Sequence, residues 1–152
     1  MKIIITCVFS LTLVVVLASQ SITVRAHSGE NKNDPRHVAM TTLGQNMKAI
    51  SRAVKSGNIT ADLPQKTAEI HKISNGLVAL FPKGNELPES RAKPEIWSDS
   101  AGFNAANNNF IKAASDLANA LKSGDIAASK LALKATGKTC GGCHKAYRLP
   151  KK

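Results

Sequence analysis

The chain has 152 residues, a formal net charge of +11 and only 4% aromatic residues, and its length suits one compact domain. Because aromatic residues are scarce, basic and aromatic side chains do not interleave, which argues against a protein that stacks single-stranded nucleic acids. The excess of 21 Lys and Arg over 10 Asp and Glu leaves open an anionic membrane surface, acidic protein partners or general solubility.

Residues 1–26 have the pattern of a signal peptide, with a basic start, an apolar run from Ile3 to Ala18 and a cleavage pattern of small residues. The apolar run is shorter than the ~20 residues of a transmembrane helix, and an uncleaved N-terminal anchor is the alternative. The pattern predicts export to the periplasm and a mature domain of residues 27–152. Loss of Lys2 and Arg25 with the signal would leave a net charge of +9.

Two helices are predicted in the first half of the mature domain. Asp34 and Pro35 are typical of an N-cap and a first helical position, and Gly57 is typical of a helix end. Between them, apolar residues recur at steps of three and four, which indicates the packed face of a helix. That face consists of Met40, Leu43, Met47, Ile50 and Val54. A second helix is predicted from residues 62–64 to Phe81.

Two more helices follow a long loop at residues 83–93. Pro94 opens the third helix, whose inward positions recur every seven residues. They are Ile96, Phe103, Phe110 and Leu117. The fourth helix is predicted from Ile126 to about Arg148, and no segment alternates as a strand would. We therefore predict an all-α fold, an antiparallel four-helix bundle with room for a cofactor between facing helices.

The fourth helix contains the motif Cys140-Gly141-Gly142-Cys143-His144, which indicates covalent haem attachment. At helical spacing Cys140, Cys143 and His144 share one face, so two thioether bonds and one iron ligand can come from a single turn. The alternatives are half of a zinc site and a thioredoxin-like redox pair. No second ligand pair lies at metal spacing, and no strand precedes the motif. We predict one haem c, attached through Cys140 and Cys143.

These residues resemble cytochrome c′ and its low-spin, methionine-ligated relatives, the class II c-type cytochromes. The resemblance rests on the C-terminal position of the motif, on residues 36–47, and on residues 80–82 and 92–97 around the loop. It implies a haem between helices one, three and four, His144 as the proximal iron ligand, and homodimers. It also implies that Met40 faces the iron from the other side, that Arg36 meets a haem propionate, and that Arg148 lies beside His144.

Elementary chemistry agrees with these roles. Met40 lies on the inward face of helix one, and a thioether is a neutral, soft ligand that suits the iron of an electron carrier. Arg36, one turn earlier on the same face, can offer two donors to a carboxylate. The alternatives are that Met40 only fills the core, or that His37 is a rival ligand although it is rotated from the inward face.

Two functions are therefore predicted for a protein that is not an enzyme. The first is a periplasmic electron carrier with low-spin haem c bound by His144 and Met40. The alternative is a five-coordinate protein that binds nitric oxide or carbon monoxide, with Met40 near the iron but not bonded to it. Lysines near the motif predict a basic rim that attracts acidic redox partners. We predict no nucleic acid partner and no stable insertion into a membrane. These are Lys134, Lys138, Lys145, Lys151 and Lys152.

Overall fold

The computed structural model describes residues 32–87 and 90–150. Five α-helices lie in this part of the chain, together with a 3₁₀ turn at Val78–Leu80. The helices are α1 (Pro35–Ser56), α2 (Leu63–Gly76), α3 (Glu95–Ser98), α4 (Ser100–Lys122) and α5 (Ile126–Tyr147). Among these, none combines the length and the apolar character that crossing a membrane requires. The predicted signal peptide, Lys151 and Lys152 lie outside the described residues.

The four long helices form the predicted antiparallel bundle, so the fold class is confirmed. Helix α4 packs against both α2 and α5, and α1 packs against the same two helices. The main core between them is aliphatic apart from one phenylalanine. It consists of Leu43, Ile50, Ala53, Val54, Leu63, Ile70, Phe110, Ala114, Leu117 and Leu121. The periodic positions predicted for helices one and three supply half of these ten residues, namely Leu43, Ile50, Val54, Phe110 and Leu117.

Local signals set both ends of α1 as predicted. The Asp34 side chain accepts a hydrogen bond of 2.7 Å from the backbone N–H of Arg36, and Pro35 occupies the first helical position. At the other end Gly57 adopts φ +72°, a left-handed conformation that glycine reaches without a steric penalty. Residues 36–40 are therefore presented from a well-defined first turn and a half of α1.

The predicted third helix is wrong in one respect, because it is divided in two at Asp99. Helix α3 is a single turn, Glu95–Ser98, and Asp99 leaves helical geometry with φ −117° and ψ 55°. The Asp99 carboxylate accepts a hydrogen bond of 3.1 Å from the N–H of Gly102, so Asp99 caps the start of α4. The seven-residue apolar repeat continues across this break and therefore gave no sign of it.

A second packed group, the aromatic cluster, consists of the buried Phe103 and Tyr147 and the half-buried Phe81. The Phe103 ring meets the other two edge to face, with centroid distances of 5.4 and 5.3 Å. The Tyr147 hydroxyl donates a hydrogen bond of 2.9 Å to Asp99 Oδ2. Burial, with help from this bond, raises the pKa of Tyr147 and keeps the hydroxyl protonated. The cluster thus joins the end of α5 to the α3–α4 junction.

We expect Gly102→Ala to destabilise the protein by about 1 to 3 kcal/mol through overpacking. A Cβ atom added to Gly102 would lie 2.5 Å from the Tyr147 hydroxyl oxygen, and closer still to Asp99 Oδ2. Either the bond between Tyr147 and Asp99 breaks or α4 shifts. Urea denaturation of the haem-loaded protein measures the effect as a lower free energy of unfolding.

The matched control is Gly44→Ala. Gly44 is an exposed residue inside α1, and nothing lies within 4 Å of an added Cβ. Alanine is the better helix former, so this variant should be neutral or more stable by up to about 1 kcal/mol. Equal free energies of unfolding for the two variants would contradict the close packing at Gly102.

Candidate haem site

A cavity of about 160 Å³ lies between the start of α1 and the end of α5. Helix α1 lines it with Arg36, His37 and Met40, and α5 lines it with Cys143 and His144. The loop before α3 and the aromatic cluster supply the remaining walls. The structure therefore brings together most of the residues that the sequence predicted for the haem site, from two helices about a hundred positions apart in the chain.

The two motif cysteines lie between the main core and the aromatic cluster. Cys140 is half-buried against the main core, and Cys143 is half-buried against the aromatic cluster and lines the cavity. Neither forms a disulfide. Burial raises the pKa of both thiols, so both stay protonated near neutral pH. Redox-active cysteine pairs have a thiol with a lowered pKa, whereas the pKa of both thiols is raised here. This environment therefore argues against a redox-active pair.

His144 follows Cys143 into the cavity and is half-buried. Burial lowers the pKa of its imidazole, and the guanidinium groups of Arg148 and Arg91 lower it further. The neutral imidazole is the form that coordinates a metal. Its surroundings therefore favour the protonation state that iron ligation requires.

Met40 and His37 enter the same cavity from α1, one turn apart. Met40 is half-buried and also packs against the main core, so its side chain has a packing role in this fold. His37 is half-buried as well. The sequence predicted that His37 is rotated away from the inward face of α1. In the structure His37 nevertheless lines the cavity, together with Arg36 and Met40.

Arg36 is buried, with 8% of its surface exposed. Its Nε donates to the carbonyl oxygen of Leu80 and its Nη2 to that of Asn85, each at 2.8 Å. The guanidinium carbon lies 5.0 Å from the centre of the Phe81 ring. Nη1 is buried and has no hydrogen-bond partner. Arg36 lines the cavity, and its Nη1 is thus left to donate to an acceptor that is not part of the described chain.

A short strap, residues 91–93, joins the loop before α3 to the chain that follows α5, and the sequence did not predict it. Residues 91–93 run antiparallel to the chain that follows α5, with Leu149 N–H donating to Arg91 O at 2.7 Å and Lys93 N–H to Tyr147 O at 3.0 Å. Arg91 itself donates from Nε and Nη2 to the carbonyl oxygen of Leu149. The strap places Arg91 and Arg148 together on the cavity wall beside His144.

The chemistry of these residues fits a haem c. Two neighbouring thiols and a neutral imidazole lie on one helix, and the walls are largely apolar. Three guanidinium groups at the same cavity, from Arg36, Arg91 and Arg148, match a cofactor that has carboxylate groups at one edge. The strongest indication of such a carboxylate is Nη1 of Arg36, because it is buried and has no hydrogen-bond partner in the described chain.

We expect Arg91→Ala to lower the free energy of unfolding by about 1 kcal/mol, because two hydrogen bonds to Leu149 O are lost at a partly exposed site. The end of α5 should also become more sensitive to limited proteolysis. Arg52→Ala is the control, since Arg52 is an exposed arginine on α1 away from the strap. If the two variants unfold at the same urea concentration, Arg91 does not hold the strap.

The model of the family described as "Cytochrome C'" matches residues 32–148 of the chain. Among curated proteins, the cytochrome c′ of Pararhodospirillum photometricum is 36% identical over 115 residues, which are 74% of this chain and 92% of that protein. A cytochrome c-556 of Agrobacterium tumefaciens (strain II Chrys) is 31% identical over 123 residues, 78% of this chain and 97% of that protein.

Solved structures of cytochromes c′ are also similar to this chain. A nitric oxide complex of a variant of cytochrome c prime from Alcaligenes xylosoxidans is 29% identical, with a TM-score of 0.70 over 76% of this chain and 91% of that one. Cytochrome c′ from Rubrivivax gelatinosus is 29% identical, with a TM-score of 0.66 over 74% and 91%. A carbon monoxide complex of another Alcaligenes variant is 28% identical, with a TM-score of 0.69 over 76% and 91%.

Proposed function

The chain belongs to the cytochrome c′ family, and we propose that it is a five-coordinate haem protein that binds nitric oxide or carbon monoxide. Its cofactor is covalently attached haem c, as predicted. Members of the family typically hold high-spin iron with one axial ligand from the protein. A haem held by these residues would supply an iron that can bind a diatomic gas.

The observation that carries the proposal is the position of Met40. Its side chain lines the cavity that contains His144, but it also packs against the main core. This packing accounts for a methionine here without an iron bond, as a flexible side chain that fills irregular space. In this role Met40 narrows the access of a gas molecule to its side of the cavity.

The other residues of the site hold and shield the cofactor. Cys140 and Cys143 are the attachment points, and the neutral imidazole of His144 is the protein's iron ligand. The free donor of Arg36 serves one haem carboxylate, with Arg148 at the same cavity wall. The aromatic cluster, packed on Cys143, excludes water from this end of the bundle.

Of the two functions predicted from the sequence, the comparisons support gas binding better than the low-spin electron carrier. The relatives are mostly cytochromes c′, and the similar structures include nitric oxide and carbon monoxide complexes. We propose a binding role rather than a catalysed reaction, with export to the periplasm by residues 1–26. Assembly as a homodimer is proposed from the family resemblance alone.

The test is an optical spectrum of the purified protein, oxidised and reduced, with and without carbon monoxide. We expect high-spin spectra in both oxidation states and ready binding of carbon monoxide to the reduced form. The contrary result is a low-spin spectrum in both states, with a weak near-infrared charge-transfer band from sulfur to iron and no reaction with carbon monoxide. It would identify Met40 as an iron ligand and reject the proposal.

A further inference from the structure

Helix α5 has an unusually one-sided charge. Between Ile126 and Tyr147 it contains four lysines and no Asp or Glu. All four are exposed, and within the described chain none forms an ion pair with a carboxylate. We call Lys130, Lys134, Lys138 and Lys145 the lysine face. At about 100° of rotation per residue, they lie within an arc of about 80° around the helix axis.

An apolar strip runs beside the lysine face. It consists of Ala127, Leu131 and Ala135, which are all exposed and spaced one turn apart on α5. Leu131 is 71% exposed, the most exposed large apolar side chain in the described part of the chain. A small apolar centre with a charged rim is the composition of weak, transient protein interfaces.

The same helix carries the haem attachment motif, and its outer surface there is bare. Gly141 and Gly142 are exposed between the two cysteines, and an added Cβ at either would meet nothing within 4 Å. Lys138 and Lys145 lie on either side of this bare turn. A protein that docks on the lysine face therefore reaches α5 close to the cofactor without displacing any large side chain.

We propose that the lysine face and its apolar strip are the docking site of an acidic one-electron donor protein. The proposal rests on the proposed haem function, because it needs haem iron on α5. In the encounter one electron leaves the partner's reduced cofactor and ferric iron becomes ferrous, with no bond formed or broken. Four uncompensated charges on one face attract an acidic surface and orient it toward the motif.

Other occupants of this face fit it less well. An amphipathic helix that binds lipid needs a free apolar face, but that of α5 is packed against α4 and α1. A second copy of the chain would bring lysines against lysines across the interface.

Closeness in the sequence predicts a group of lysines around the haem motif. The structure adds Lys130 to the group and shows one shared face, whereas Lys151 and Lys152 lie outside the described residues.

The experiment uses the haem-loaded protein and reduced flavodoxin, an acidic flavin protein that donates single electrons. The test variant combines Lys130→Glu, Lys134→Glu and Lys138→Glu. The control combines Lys48→Glu, Lys72→Glu and Lys83→Glu, three exposed lysines on α1, α2 and the loop. Both variants have the same net charge, so a difference between them reports where the charge lies.

Two quantities are measured between about 10 and about 200 mM salt: the affinity for immobilised flavodoxin and the rate of haem reduction. At low salt we expect the test variant to lose about tenfold or more in both, and the control at most about threefold. The salt dependence should flatten in the test variant alone. Equal losses in the two variants would overturn the proposal, because net charge would then suffice.

Two further measurements separate the competing explanations. Vesicles of phosphatidylserine and phosphatidylcholine test the membrane alternative, and lysine-face-dependent binding to them with unchanged flavodoxin affinity would overturn the proposal. Carbon monoxide binding is measured on the same samples. If the wild-type protein fails to bind carbon monoxide, the proposed gas function fails, whereas the comparison of flavodoxin affinities still decides the docking proposal.

Discussion

The double variant Cys140→Ser/Cys143→Ser should lose covalently attached haem completely. A serine oxygen does not form the stable thioether that a cysteine sulfur forms with a haem vinyl group. The two thiols are adjacent to the cavity, half-buried and protonated, and no disulfide competes for them in the described structure. The measurement is a haem stain of a denaturing gel together with the intact mass of the purified chain.

The single variants refine this prediction. Cys143→Ser should be the more harmful of the two, because Cys143 lines the cavity beside His144, whereas Cys140 packs against the main core. Each single variant should retain haem by one bond, in lower yield. Immunoblotting of exported protein separates failure to attach haem from failure to accumulate.

The natural control is Cys7→Ser. Cys7 lies in the predicted signal peptide, so its replacement should leave haem content and the mass of the mature chain unchanged. Haem that stays attached after denaturation of the double variant would contradict the predicted attachment. A lower mature mass for the Cys7 variant would instead show that residue 7 is retained, contrary to the predicted cleavage near Ala26.

The parts of the fold that the sequence predicted are those determined by neighbouring residues. The N-cap at Asp34, the left-handed Gly57 and the single face shared by Cys140, Cys143 and His144 follow from local geometry. The aliphatic bundle core follows from helical periodicity, which needs no knowledge of the partner helix. The break at Asp99 was missed because a capping side chain competes locally with a repeat that spans it.

The parts that were missed depend on contacts between distant residues. Arg91 reaches Leu149 across 58 positions, and nothing in the residues around it marks this pairing. Arg36 was predicted to meet a haem carboxylate, yet two of its donors bind carbonyl oxygens 44 and 49 positions away. Only its unpartnered Nη1 keeps the predicted role available. Pairwise distances of this kind arise from helix packing and loop paths, which periodicity does not specify.

Met40→Ala should raise the affinity for carbon monoxide by about tenfold or more, equivalent to about 1.4 kcal/mol, while the high-spin spectrum stays the same. Met40 lines the cavity together with His144, and its loss opens space there without removing an iron ligand. Carbon monoxide association rates should rise correspondingly. Flash photolysis of the reduced carbon monoxide complex measures these rates, and optical spectra report the spin state.

Met47→Ala is the matched control for this last prediction. Met47 lies two turns further along α1, is half-buried like Met40 and packs against the same main core, but it does not line the cavity. Its truncation should cost about 1 to 3 kcal/mol of stability, at or below the low end of the range for a fully buried methionine because Met47 is only half-buried. It should leave carbon monoxide affinity unchanged. A spectrum that changes from low-spin to high-spin in Met40→Ala alone would identify Met40 as an iron ligand. An equal rise in affinity for both variants would show that loosening of the core, and not space beside His144, controls access to the iron.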